Sequence, residues 1–317
     1  MKPIEEMSVW LLWFCNSPIR ERLNMSDKQE VSYTTIFFDS LAKEDWLRKI
    51  SFERGRYDKG LFKNQIVLEF SPTLKAEDFE PIHLVTLACL IHFLDENEHR
   101  IYIASANDSV RNMLFNDLRF QDYWSGEGVN HVDSDNNNIF NLWRIVENEK
   151  DLYAKGVEKY FKCLFKNKDL SVISLSLIEA YYNVFDHAEA NGNAFSLIKY
   201  EEDKNKLHVA ICDFGKGIAK SVRDFTPSIP SDKDALEKSI ETDFTVRSKM
   251  HNKGKGMDNI LSCSNVIRIF CNNALLLKSD ENIKLYDIDF HFYGTLIYLE
   301  IDLSAAEDEE ILEEFEL

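Results

Sequence analysis

Residues 66 to 124 alternate in a way that few folds accommodate. "IVLEF" (66–70) reads as a strand, "IHLVTLACLIHFL" (82–94) as a mostly buried helix and "RIYIAS" (100–105) as a second strand. "NDSVRNMLFNDL" (107–118) reads as a second helix, with Asn107 or Asp108 placed to cap it. Strand, helix, strand, helix at these lengths implies a parallel pair of strands with right-handed crossovers. "YTTIFF", further upstream, is strand-like as well. Residues 1–130 are therefore expected to form a small α/β domain.

Composition limits what such a chain can do. Its 317 residues suffice for two domains, and 44% hydrophobic with 29% charged residues is the balance of a chain that folds. The net charge of -18 repels phosphate backbones and anionic membranes, so no nucleic-acid or membrane partner is expected. A bound polyanion would need a local site of backbone N–H groups, a metal ion and a few lysines. The cysteines, Cys15, Cys89, Cys163, Cys212, Cys263 and Cys271, show no C-x-x-C spacing and mostly sit in apolar runs. They read as small hydrophobes, not as zinc ligands or a disulfide framework. "MSVWLLWFC" follows Glu5 and Glu6 and is too short to span a bilayer, so a cytoplasmic protein is expected.

"GEGVNHVDSDNNN" (126–138) lacks an apolar period and reads as the linker between two domains. A helical period then returns in Phe140, Trp143, Val146, Tyr153, Val157, Phe161 and Leu164, which predicts one or two connecting helices over 139–166. A further helix is expected over 171–188, then a hairpin of "AFSLIKY" and "LHVAICD". "NVIRIFC", "IKLYDIDFHF" and "GTLIYLEIDL" read as three more strands. A mixed sheet with helices on one side is an α/β sandwich.

Three short segments in this half carry polarity that a core does not need. Glu179 and Asn183 are four apart and Asp186 is three further on, so all three project from one face of the 171–188 helix. In "ICDFGKGI" a buried strand ends at Asp213 and passes into Gly215 and Gly217, where the backbone can turn sharply and approach a ligand. A carboxylate there can accept a hydrogen bond from an amino group. In "NKGKGMDNI", Gly254 and Gly256 precede a helical run flanked by Lys253 and Lys255, a suitable arrangement for phosphate. Neither a Walker loop nor a Rossmann fingerprint occurs.

In this order, E-x-x-x-N-x-x-D-H-A, D-x-G-x-G-I and G-x-G-M resemble the GHKL ATPase superfamily of gyrase B, heat-shock-90 chaperones, histidine kinases and MutL, over residues 139–303. The resemblance implies ATP and Mg²⁺ as cofactors, with Asn183 as metal ligand and Glu179 as general base. It implies Asp213 as acceptor for the adenine amine, Gly215 and Gly217 passing the base, and Thr295 supporting it. Lys253, Gly254, Lys255 and Gly256 would cradle the phosphates, and Arg247 and Lys249 would reach the γ-phosphate from a lid between Gly217 and Gly254. His187 is read as structural. The 60–125 segment resembles STAS domains, although no Ser or Thr opens its first helix as in the phosphorylated members.

The fold expectation is thus a STAS-like α/β domain (1–130), a GHKL α/β-sandwich ATP-binding domain (139–303) and an acidic tail (304–317). Residues 139–170 hold no His to serve as phosphoacceptor, and only the acidic tail follows the last strand, where clamp-type relatives carry a transducer domain. The anti-sigma-factor serine kinase type is the closest branch. The expected function is Mg-ATP-dependent control of a protein partner, a STAS-like protein or sigma-factor regulator, with phosphate transfer to Ser or Thr. Two alternatives stay open: a binding switch with little turnover, and an ATP-hydrolysing clamp that forms a homodimer. Ile311, Leu312 and Phe315 share helical spacing among seven acidic residues of the tail, which is solvated or docks on a partner or on the lid.

Overall fold

A computed structural model of the chain describes residues 12–14, 33–57, 65–125, 128–183, 190, 192–241, 244 and 256–306. Asp186, His187, Arg247, Lys249, Lys253, Gly254, Lys255 and the tail from residue 307 lie outside the described residues.

The first half is built on a four-stranded sheet of β1 (Leu12–Phe14), β2 (Tyr33–Phe38), β3 (Gln65–Phe70) and β4 (Arg100–Ser105), in the order β1-β4-β3-β2. β2, β3 and β4 are mutually parallel, as the alternation predicts, and β1 runs antiparallel to β4. Burial along β3 alternates between half-buried and buried, the signature of one face on a core. Helix α1 (Lys43–Tyr57) links β2 to β3, and α2 (Pro81–Glu96) links β3 to β4. Glu80 caps α2 in a reciprocal box with His83, and Pro81 opens the first turn, where its missing N–H has no partner to lose. Asn107 caps α3 (Asp108–Asn112) by accepting from the Ser109 N–H at 2.9 Å. The chain continues through one π turn into α4 (Phe120–Trp124).

The second half is a five-stranded sheet of order β5-β6-β7-β9-β8, with every neighbouring pair antiparallel. Its strands are β5 (Ile139–Arg144), β6 (Ala194–Glu201), β7 (Lys206–Asp213), β8 (Val266–Ser279) and β9 (Asn282–Asp302). Helices α5 (Lys150–Leu164) and α6 (Ser171–Asn183) come between β5 and β6. Helices α7 (Ile218–Phe225), α8 (Asp232–Ser239) and α9 (Gly256–Ser262) come between β7 and β8.

Three sequence expectations change here. The second sheet is not mixed with helices on one side: all its neighbouring strands are antiparallel, and the helix α2 of the first half covers the face that α5, α6 and α9 leave open. Residues 139–144 are an edge strand and not the start of a helix. A register shift between Phe140 and Trp143 interrupts the two-residue alternation and turns both rings to one core, imitating helical spacing. The runs "IKLYDIDFHF" and "GTLIYLEIDL" are one 21-residue strand, whose pairing with β8 skips Tyr293 and Gly294, the latter with φ +85°.

Helices cover both faces of the second sheet. Leu207, Val209 and Ile211 of β7 pack with Tyr153, Val157, Leu177 and Ile260 from α5, α6 and α9. The alternate residues Ala210 and Cys212, with Phe195, Leu197, Leu296 and Tyr298, join the core of the first half. Helix α2 causes this. Every residue from Pro81 to Leu94 is buried, because α2 lies against its own sheet on one side and β6 and β7 on the other. The hydrophobic core is therefore continuous across the 126–138 segment. Among the described residues no helix is long and apolar enough to cross a membrane.

Candidate functional site

Asp213 ends β7 with only 3% of its surface exposed. A carboxylate so placed is costly unless its oxygens are paired. Oδ1 accepts the Gly215 N–H at 2.8 Å, and the Thr295 N–H on β9 also reaches the carboxylate. Burial nevertheless pushes its pKa up to about 7, with those two bonds pulling the other way. Asp213 is thus poised to change protonation near neutrality.

Glycines allow the backbone to close around it. A Cβ on Gly294 would overlap the Asp213 carbonyl oxygen, and the positive φ there already excludes most side chains. Gly217 has φ +82°, and a Cβ on it would lie 2.7 Å from Asn272 Oδ1 and 2.8 Å from Gly294 O. The D-x-G-x-G loop, β8 and β9 meet at van der Waals limits. No larger residue fits at either glycine.

The first turn of α7 is tied to the sheet by two side chains. Thr295 Oγ1 accepts from the Ile218 N–H at 3.2 Å, and Asn272 Oδ1 accepts from the Lys220 N–H at 3.1 Å. Asn272 Nδ2 donates to Lys216 O at 3.2 Å, so one buried carboxamide holds both sides of the glycine turn. The free N–H groups that a helix start offers an anion are here partly spent on protein acceptors. Below the carboxylate, the Phe214 N–H donates to Asn193 O at 3.0 Å, and Asn193 Nδ2 donates to Cys89 O on α2 at 3.2 Å.

Glu179 sits half-buried on α6, one turn before Asn183, the helix's last residue. Gly256 opens α9. Ser176 Oγ donates to Val172 O within α6 and to Asn259 O on α9, both at 2.9 Å, so these helices touch. Glu179 and Gly256 each lie three residues from that contact, about 5 Å along their helix axes. The structure thus brings the Glu179 helix beside the Gly256 helix on the sheet face opposite α2, and gathers Asp213, Gly215, Gly217 and Thr295 at the end of β7. Arg247, Lys253, Gly254 and Lys255 lie outside the described residues.

Sequence reasoning missed Asn272, Gly294 and Asn193. A signal existed for the first two. An Asn pair interrupting the apolar run "VIRIFCNNALLL", and a glycine inside a strand pattern, mark a bulge or a close backbone approach.

Beside the glycine turn opens a cleft of about 430 Å³ lined by Lys220, Arg223, Asp224, Asp232, Asn272 and His291. Its charges largely satisfy one another, through Arg223 with Asp232 at 2.9 Å and Asp224 with Lys216 at 2.5 Å. Among the described residues no group of three or more His, Cys, Asp or Glu side chains is placed to hold a metal ion. No protein-family model and no curated protein matches this chain.

Proposed function

We propose that residues 139–303 bind Mg²⁺-ATP in the manner of the GHKL superfamily, and that the chain uses the bound nucleotide to control a protein partner. The observation that carries this reading is the buried Asp213 carboxylate, held at a strand end against Gly294 and beside the tight turn at Gly217. An amino group that donates to it would relieve the burial penalty, and adenine carries such a group. Adenine is thus selected over guanine, which presents an oxygen at that position.

In this reading Asn183 offers a neutral oxygen to the metal, and Lys253, Lys255 and Arg247 neutralise phosphate charge. Thr295 and Asn272 keep the glycine turn rigid, so that no reorganisation is needed when the base enters. Glu179 accepts the proton of the attacking hydroxyl or water. When bound, Mg²⁺-ATP supplies the phosphoryl group and spreads the developing charge. The first half is read as a STAS-like module fused in cis, and the acceptor as a Ser or Thr on a STAS-like protein.

Incubation with γ-labelled ATP, with and without the products of neighbouring genes, tests this. Label on a protein Ser or Thr supports phosphotransfer, and label released as phosphate supports hydrolysis. Calorimetry supplies the prior step. Failure of the wild-type chain to bind Mg²⁺-ATP, or equal affinity for GTP, would remove the reading.

A further inference from the structure

Helix α1 of the first half packs along the part of β9 that leads into Gly294. Midway along it, Arg48 pairs with Asp289 at 2.6 Å and lies over the Phe290 ring at 5.1 Å. Roughly two turns further on, Arg54 meets three rings that come from separate parts of the fold. Its guanidinium carbon is 3.6 Å from the centre of Phe93 on α2, 4.7 Å from that of Tyr293 on β9 and 6.0 Å from that of Phe214, the residue after Asp213. A guanidinium is flat and stacks on aromatic faces, which the compact ammonium of a lysine does not. Gly55 marks the same close approach: a Cβ there would lie 2.7 Å from the Tyr293 hydroxyl oxygen, so an alanine requires that ring to move.

The two rings that Arg54 meets in the second half flank backbone that has no side chain of its own to anchor it. Asp213 is held by the Gly215 N–H at 2.8 Å and by the Thr295 N–H. The first of these donors belongs to the peptide between Phe214 and Gly215, and the second to the peptide between Gly294 and Thr295. Phe214 and Tyr293 are thus the side chains next to each glycine, and both touch the same guanidinium. Strand alternation turns Ile211 and Asp213 to one face of the sheet, whereas Phe214 joins Cys212 in the core shared with α2. Arg54 therefore holds the site from the face away from the carboxylate.

We propose that Arg54 is a positioning residue for Asp213: by holding Phe214 and Tyr293 against Phe93, its guanidinium fixes the two peptide N–H groups that orient the carboxylate. The first half is then part of the candidate site, and a shift of α1 reaches Asp213 through one side chain. Its consequence for adenine selection rests on the ATP reading, whereas the positioning does not.

Hydrogen exchange at the Gly215 and Thr295 amides of the full chain, without nucleotide, tests the positioning. Arg54→Met keeps an unbranched side chain but removes its charge and its plane, and both amides should exchange roughly tenfold faster. Arg54→Lys keeps the charge alone and should not restore them. Tyr293→Leu should speed exchange at Thr295, and combining it with Arg54→Met should add little there, because the two side chains act as one unit. Arg48→Gln breaks the pair with Asp289 without touching the three rings, and both amides should stay as in the wild type. Should Arg54→Met not fold, Gly55→Ala carries the test: it favours helix α1 yet displaces Tyr293, and Thr295 should again exchange faster. With ligand, the preference for adenosine over guanosine should fall roughly three- to tenfold in Arg54→Met, and the same substitution should change nothing further in an Asp213→Asn background. Unaltered exchange in Arg54→Met, restoration by Arg54→Lys, or an equal loss from Arg48→Gln overturns the proposal. If the wild-type chain binds neither nucleoside, the ATP reading fails and the exchange results alone decide.

Discussion

At the scale of single residues, the protonation of Asp213 is the property most open to measurement. Its folded-state pKa, raised to about 7 by burial, lies above the ordinary carboxylate value of 3.8. Below about pH 7 the free protein therefore favours the protonated form, and the stability linked to this group is fully present below pH 3.8 and is lost as pH rises through about 7. An adenine amine needs the ionised acceptor, so ATP should bind more tightly as pH rises from 6 to 8, with a proton released on binding. In Asp213→Asn, nucleotide affinity should be weaker and this residue's pH dependence absent. Calorimetry in buffers of differing ionisation heat, comparing both proteins with adenosine, reads the proton directly. An identical proton count for wild type and mutant would detach Asp213 from the base. Glu179→Gln separates chemistry from binding: ATP affinity should persist while turnover or partner labelling falls on the order of 10²- to 10⁴-fold. Loss of ATP affinity in that mutant would move Glu179 into the metal site. Asp213, Gly215 and Gly217 were legible because their spacing is local. Asn272 and Gly294 left a local signal of a bulge, but not of what they touch, because their contacts with the turn close over more than fifty residues of chain.

At the scale of elements, α2 carries different chemistry at its two ends. Near its start, Glu80 accepts from Lys43 at 2.7 Å and from the Tyr298 hydroxyl on β9. Burial would raise the Glu80 carboxyl, but these two bonds hold it below its ordinary value. His83 Nδ1 accepts the Glu80 N–H at 2.9 Å, so the ring must be neutral at that nitrogen, and burial pushes its pKa down to about 4. Near the other end, His92 sits edge-on to Phe195, receives Arg144 at 3.1 Å and is lowered to about 3 by burial and that guanidinium. Both folded-state values lie below 6.5, so the stability linked to them is present above pH 6.5 and is lost as pH falls toward 4 and 3. Acidification from pH 6.5 to 4 should loosen α2 from the second sheet. His92→Gln, which stays neutral, should flatten part of that slope in denaturant titrations. An unchanged slope would place the acid sensitivity elsewhere. The helix itself was readable from its length, since a buried apolar run of this size needs no tertiary information. Its second packing surface was not, because Cys89 meets Cys212 across 123 residues of sequence. The edge strand β5 was misread for a related reason: a bulge can be seen only against the strand it pairs with.

At the scale of the whole molecule, the shared helix decides how the two sheets respond to one another. The face of the second sheet that α2 covers is apolar, with Phe195, Leu197, Ala210, Cys212 and Leu296 all buried there. Removing the first half would expose this face to water, at roughly 25 cal/mol for each Å² uncovered. Neither half should therefore unfold alone. The polar ties point the same way, because Cys89 on α2 accepts from Asn193, whose carbonyl in turn receives the Phe214 N–H immediately after Asp213. Calorimetry of the intact chain should show one cooperative transition in which the two sheets melt together. Under the ATP reading, nucleotide at about a hundredfold excess over its Kd should stabilise the native state by about 2.7 kcal/mol and move that single transition upward by several degrees. Hydrogen exchange should slow along β3 and β4 as well as along β7, although those first-half strands are far from Asp213 in sequence. Two separate transitions, with only one displaced by nucleotide, would mean that α2 is a passive contact and that the halves fold independently. A fragment covering 139–303 provides the complementary measurement. It should be far less stable than the same residues within the full chain, and a fragment that melts at the full-chain temperature would refute the shared core.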